Sequence, residues 1–223
     1  MTNWREMLKQ RPLKVPASFP DEIILLEIDD AVLLPKGQLP LTLDVKQKSP
    51  FFKALAGDRL MGVVQVQKAF SGNPTLFKTG CLARIVAFSE GEESAPFTIL
   101  SGLVRFRITE EFIGIDGARR AKVSYEPYSF DHIEEDEAVT NRDAFIETIQ
   151  GYCALLDLHP NWDEVLKTPD EILISALSMM CPFEAHEKQA LLETATLQDR
   201  ANVLTALMEL ACMKKQSHFG QIH

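Results

Sequence analysis

The sequence has no apolar run approaching the ~18 residues that cross a bilayer, and no CxxC pair. Residues 1–14 mix Trp4, Arg5, Glu6, Lys9 and Arg11 with isolated apolar residues. They lack the unbroken apolar core of a secretory signal, so a cytoplasmic protein with no membrane partner is expected. Its four cysteines, Cys81, Cys153, Cys181 and Cys212, lie far apart. Zinc ligands usually come in close pairs, and disulfide frameworks belong to small secreted domains. Four unlinked thiols acting as small apolar side chains are expected, with no metal and no cofactor.

Signatures of catalysis are missing as well. There is no GxxxxGK[ST] loop, no GxGxxG after a strand, no GxSxG elbow and no HExxH. His186-Glu187 is followed by Lys188, Gln189 and Ala190, which supply no second ligand on that face. All five histidines, His132, His159, His186, His218 and His223, fall in the second half. The carboxylate pairs Asp29-Asp30 and Glu92-Glu93 border turns, and adjacent strand residues point to opposite faces. No catalytic residue is assigned, and the chain is expected not to be an enzyme.

What is present divides in two. The net charge is −9, but residues 1–131 hold 17 Lys and Arg against 16 Asp and Glu, whereas residues 132–223 hold 6 against 16. So acidic a second half repels phosphate backbones, which makes nucleic acid an unexpected partner. The first half reads as strands: Glu22 to Ile28, Leu39 to Val45, Leu60 to Val66, Gly80 to Phe88, Phe97 to Thr109 and Ala118 to Tyr125. Turn signals separate them at Pro35-Lys36-Gly37, Gly72-Asn73-Pro74, Glu90-Gly91 and Asp116-Gly117. Many short strands at this spacing indicate a barrel or sandwich. A short helix over residues 51–60 interrupts them, with Pro50 at its first position.

The second half has helical period. Phe145, Ile149, Tyr152, Cys153 and Leu156 form one stripe. Asn161 offers a cap before Trp162. Thr168-Pro169-Asp170-Glu171 has the form of a capping box, followed by a buried stripe of Ile172, Leu173, Ala176, Leu177 and Met180. A helix over Glu184 to Glu193 follows. The last helix starts at Thr196 to Asp199 with a seam of Leu197, Ala201, Leu204, Met208 and Ala211. The expected division is a β-rich unit over residues 1–131 and a helical bundle over 132–223, with a charged linker at Asp131 to Asn141 and a frayed tail from Gln216.

Two surfaces are candidates for binding. Phe51 and Phe52 are adjacent, so one helix cannot turn both rings inward, and an exposed ring beside Leu55 or Met61 would make a peptide platform. Arg105 and Arg107 share a strand face that Arg84, Arg119, Arg120 and Lys122 could extend into a basic patch.

Several segments together carry a resemblance. Val32-Leu33-Leu34-Pro35-Lys36-Gly37-Gln38-Leu39-Pro40-Leu41, Arg59 to Gln65, Gly80 to Ile85 and Ser101-Gly102-Leu103-Val104-Arg105-Phe106-Arg107-Ile108 occur in the order and spacing of the Lon protease N-terminal domain. Ala121-Lys122-Val123, Pro127 to Asp131, Cys181-Pro182-Phe183 and Glu187 to Glu193 are similar to it too, the last two to stand-alone bacterial members. The sequence departs where the family has an aromatic-Glu-Pro-Arg-Tyr stretch: Thr42 to Lys48 reads Thr-Leu-Asp-Val-Lys-Gln-Lys. The resemblance implies an α+β fold, a PUA-like β-pseudobarrel followed by a helical bundle. It also implies a substrate-recognition role in protein quality control, without the ATPase and protease domains. Expected partners are unfolded or extended polypeptides, a protease or chaperone, and further copies of the chain. The competing reading is an RNA- or nucleotide-binding PUA-like protein.

Overall fold

A single 17-residue strand, β6 (Phe97–Ile113), organises the front half in the computed structural model, which describes residues 18–67, 75–89, 95–129, 131 and 139–219. Along its length β6 pairs antiparallel with β2 (Gln38–Thr42), β5 (Thr79–Ser89) and β7 (Arg119–Ser124). From β5 the sheet continues to β3 (Leu60–Gln67) and the two-residue β4 (Thr75–Leu76). The first strand, β1 (Glu22–Ile28), closes the barrel. It pairs antiparallel with β7 through Glu22, Ile23 and Ile24, then parallel with β3 through Leu25 to Ile28.

Closure needs tight spacing inside. Leu82, Val104, Phe106 and Ala121 pack one part of the barrel core. The Phe106 ring fits only because Gly80 lies against it, where a Cβ would stand 2.7 Å from its tip. A second core, with Leu26, Phe51, Met61 and Leu100, lies under α1 (Val45–Ala56). At Gly102 the chain from Leu34 to Gly37 crosses β6: Gly102 N–H donates to the Gly37 carbonyl, and a Cβ there would meet the Leu34 carbonyl at 2.1 Å.

Two expectations change around α1. The strand written as Leu39 to Val45 ends at Thr42, and the helix begins at Val45, six residues before the expected start. Asp44 is the reason. Its carboxylate accepts from Gln47 N–H at 2.8 Å, while the Gln47 side chain accepts from Asp44 N–H at 3.0 Å. That capping box fixes the helix start, so Val45 is 84% exposed and Pro50 lies inside the helix, not at its first position.

The back half is a bundle of α2 (Arg142–Leu155), α3 (Trp162–Lys167), α4 (Asp170–Met180), α5 (Ala185–Glu193) and α6 (Leu197–Phe219) around Ile149, Ile174, Leu191 and Leu204. The expected box at Thr168 does not form. Thr168 hydroxyl donates back to the Glu164 carbonyl, ending α3, and Pro169 caps α4 without a side-chain bond. Its buried face is accordingly turned from the expected stripe. Leu173, Ile174 and Ser178 are interior, and Ile172 and Met180 are exposed.

The two halves touch along α5. Gln189 amide donates to the Thr79 carbonyl at 3.1 Å, and Gln65 amide donates to the Ala185 carbonyl at 2.7 Å. Val32, Leu34, Met179 and Leu192 pack together between them. Most of the expected linker, 132–138, lies outside the described residues, as do the turn signals at residues 72–74 and 90–91 and the carboxylate pair at 92–93. No helix among the described residues is long and apolar enough to cross a membrane.

Candidate functional site

Because the helix starts early, Phe51 falls on its inner face and is fully buried, together with Met61. Neither can meet a ligand in this fold, so the platform expected from Phe51, Phe52, Leu55 and Met61 shrinks. Phe52 remains 36% exposed and Leu55 is half-buried. The Phe52 ring is not loose. It stands edge-on to Phe51 at 5.7 Å between centroids and to Phe88 at 5.6 Å. Three mutually packed rings thus hold one aromatic at the surface, at little entropic cost on binding.

Toward its N-terminal end, α1 forms one wall of a cleft of about 730 Å³. The opposite walls are β1 and the β6–β7 hairpin. Its charged lining consists of Glu27, Asp29, Asp44 and Glu111 against Lys46 and Arg119, a net of two negative charges. Arg119 bridges the floor, donating to Glu27 at 3.1 Å and to Glu111 at 2.7 Å. Burial pushes Glu111 up, but the hydrogen bonds from Lys78 and Arg119 outweigh it, and its carboxyl stays below the usual range. Asp116 at the hairpin tip is held at about 2, first by the Ala118 N–H and then by Arg120 and Lys53. Lys53 ties that tip to α1. The segment where the sequence departs from the family pattern, Thr42 to Lys48, supplies Asp44, Lys46 and Gln47 to this cleft.

The arginines expected in a basic patch do not form one. Arg105 is 3% exposed and faces inward, bound to Asp131 and to carbonyls at the end of α5, with Tyr128 4.3 Å beneath its guanidinium. Val104 and Phe106 face the barrel core, and Arg105 on the opposite face is covered by Tyr128 and the end of α5, so all three are buried. Arg84 is half-buried, and of the arginines expected there Arg107 alone is exposed. Arg119, Arg120 and Lys122 are each paired with carboxylates.

The sequence reading missed Asp131 as the buried counter-charge of Arg105, and nothing local marks it. It also missed the cap at Asp44, although Asp44-Val45-Lys46-Gln47 has capping-box spacing. Among the described residues no group of three or more His, Cys, Asp or Glu could hold a metal ion. Burial pushes the Cys181 thiol up to about 12 and raises those of Cys81 and Cys153.

The family model for the substrate-binding domain of ATP-dependent protease La (Lon) matches residues 22–209. Lon protease of Koribacter versatilis is 26% identical over 182 residues, covering 79% of this chain and 22% of that protein. Lon protease 1 of Hydrogenovibrio crunogenus is 24% identical over 205 residues, covering 86% of this chain and 24% of its own length. The chain therefore spans about a quarter of the length of the curated relatives it matches. Among solved structures, the N-terminal domain of Mycobacterium avium complex Lon protease aligns with a TM-score of 0.60 at 20% identity, covering 84% of this chain and 98% of that one. The Lon N-terminal domain protein from Xanthomonas campestris aligns at 0.59 and 19%, covering 83% and 97%. These likenesses carry the fold, a mainly antiparallel barrel with several helices. With a family model spanning most of its length, this chain belongs to the Lon substrate-binding domain family.

Proposed function

We propose that this chain recognises unfolded or extended polypeptide, acting as a non-catalytic adaptor beside a protease or chaperone in the cytoplasm. The observation that carries the reading is the Phe52 ring, kept at the surface by Phe51 and Phe88 when its neighbour is fully buried. An exposed, pre-ordered aromatic gives affinity for apolar side chains of any sequence. Such breadth suits a recognition module in the family of a protease substrate-binding domain.

Titration of a reduced, unfolded model protein into the purified chain tests the reading. Saturable binding that Phe52→Ser weakens by about tenfold, which is about 1.4 kcal/mol, supports it. No saturable binding to any unfolded chain ends it. ATP hydrolysis and casein cleavage by the same sample are expected at buffer background.

A further inference from the structure

The β1–β7 ladder stops at Ile24 opposite Arg120, although β1 runs on to Ile28. Beyond that point β1 keeps only β3, on its other edge. The Ile24–Arg120 rung is a non-bonded position flanked by bonded ones, so the Leu25 N–H closes the ladder, and no pair with the hairpin follows among the described residues.

The register shows which main-chain groups this leaves open. Val123 N–H donates to the Asp21 carbonyl, one step before Glu22 opposite Lys122. In an antiparallel pair, hydrogen-bonded positions alternate with non-bonded ones. Counting from Asp21, the groups aimed at β7 belong to Ile23, Leu25, Glu27 and Asp29. The last three line the acidic cleft. The Glu27 carbonyl confirms the direction, because it accepts from the Gln47 amide of α1 at 2.9 Å and not from β3. A side-chain amide there occupies the place of an incoming strand's N–H.

We propose that the β1 edge from the Leu25 carbonyl through Glu27 and Asp29 is a docking edge for an extended polypeptide segment carrying lysine or arginine. It rests on the reading of the chain as a polypeptide binder and names where, and which segments, it takes. The incoming segment adds as a strand between β1 and the hairpin, displacing the Gln47 amide. Its main-chain bonds are independent of sequence, and the acidic cleft selects charge. Leu25 to Asp29 span ~13 Å, room for about four residues of extended chain. Edges left open in this way are normally protected. Here the protection is α1, whose bond to the edge is a single side-chain amide.

The test is fluorescence anisotropy with a short labelled peptide rich in lysine and valine, its glutamate counterpart, and the lysine peptide N-methylated at alternate residues. The full chain is expected to bind the lysine peptide about tenfold tighter than the glutamate one, with affinity falling as salt rises. N-methylation should weaken it about tenfold, because it removes alternate main-chain donors. Asp29→Lys should erase the charge preference, and Ser49→Trp, filling the cleft, should weaken binding. Both positions are exposed, so unchanged melting temperatures show that the variants fold. Equal binding of lysine and glutamate peptides, or no effect of N-methylation, overturns the docking edge. If the wild type still binds an unfolded model protein, recognition through Phe52 stands without it; if it binds no unfolded chain, both readings fall.

Discussion

Arg105 on β6 and Asp131 after β7 form a two-pronged buried ion pair, with Nη2 2.6 Å from Oδ1 and Nε 2.8 Å from Oδ2. Asp131 also accepts from the Arg105 backbone N–H at 2.9 Å. The remaining guanidinium donors reach the Leu192 carbonyl at 2.9 Å and the Thr194 carbonyl, at the C-terminal end of α5. Arg200 donates to the Leu191 carbonyl at 3.0 Å, so two buried cations sit where the α5 dipole is negative. Burial, then the nearby Arg105 charge, bring Arg200 down to about 10.

Removing one member of such a pair strands the other charge. Arg105→Ala is expected to lower the unfolding free energy by ~3–5 kcal/mol in a denaturant titration. Arg105→Lys should rescue little, because an ammonium cannot make the forked contact. A loss below about 1 kcal/mol, the range of exposed pairs, would show that the pair is not buried in solution.

The same contacts should hold the halves together after the chain is cut. With a protease site engineered between residues 134 and 135, cleavage is expected to leave both fragments co-eluting on size exclusion. Arg105→Ala in that background should let them part. Separation of the cut wild-type chain would mean that the α5 interface is too weak to join them.

Phe51 and Phe52 should behave as opposites. Phe51→Ser removes a fully buried ring and is expected to cost ~3–5 kcal/mol of stability. Phe52→Ser should cost clearly less and act on polypeptide binding instead. Equal stability losses at the two positions would place Phe52 in the core.

Thiol chemistry gives a quick check of the interior. Cys81, Cys153 and Cys181 are buried, with raised thiol pKa values, and Cys212 is half-buried. A disulfide reagent at mildly alkaline pH should titrate one thiol quickly and all four only in denaturant. Rapid reaction of more than one would contradict the packing.

Asp116 carries the pH prediction. Its folded value of about 2 lies below the ordinary 3.8. The fold thus favours the charged form, and its contribution is complete above the unfolded value. It fades as pH falls through the window between the two. A carboxyl carbon titration by NMR should place the midpoint near 2. A midpoint near 3.8 would show that the Ala118 N–H, Arg120 and Lys53 do not hold it.

Strand existence was legible because period-two alternation depends only on neighbours along the chain. β1 has the expected ends, and β5 and β7 lie within one residue of theirs. What failed was set by partners distant in sequence. Arg105 shares a face with Arg107, yet an aspartate 26 residues on and the end of α5 cover it and leave Arg107 exposed. Phe51 and Phe52 were correctly separated by helical geometry. Which ring turned inward depended on a helix start that Asp44 and Gln47 fix together. The cleft was invisible, because it arises where one ladder ends and no residue marks that end.

The barrel's closing pair joins Ile23 to Ala121, about a hundred residues apart along the chain. During synthesis at ~5–20 residues per second, β1 would wait about 5–20 s for β7 to emerge. β3, made much sooner, can zip onto it in the meantime. Long-range pairing of this kind slows folding. The nascent barrel thus passes through an interval as a half-closed sheet with all of β1's far edge bare.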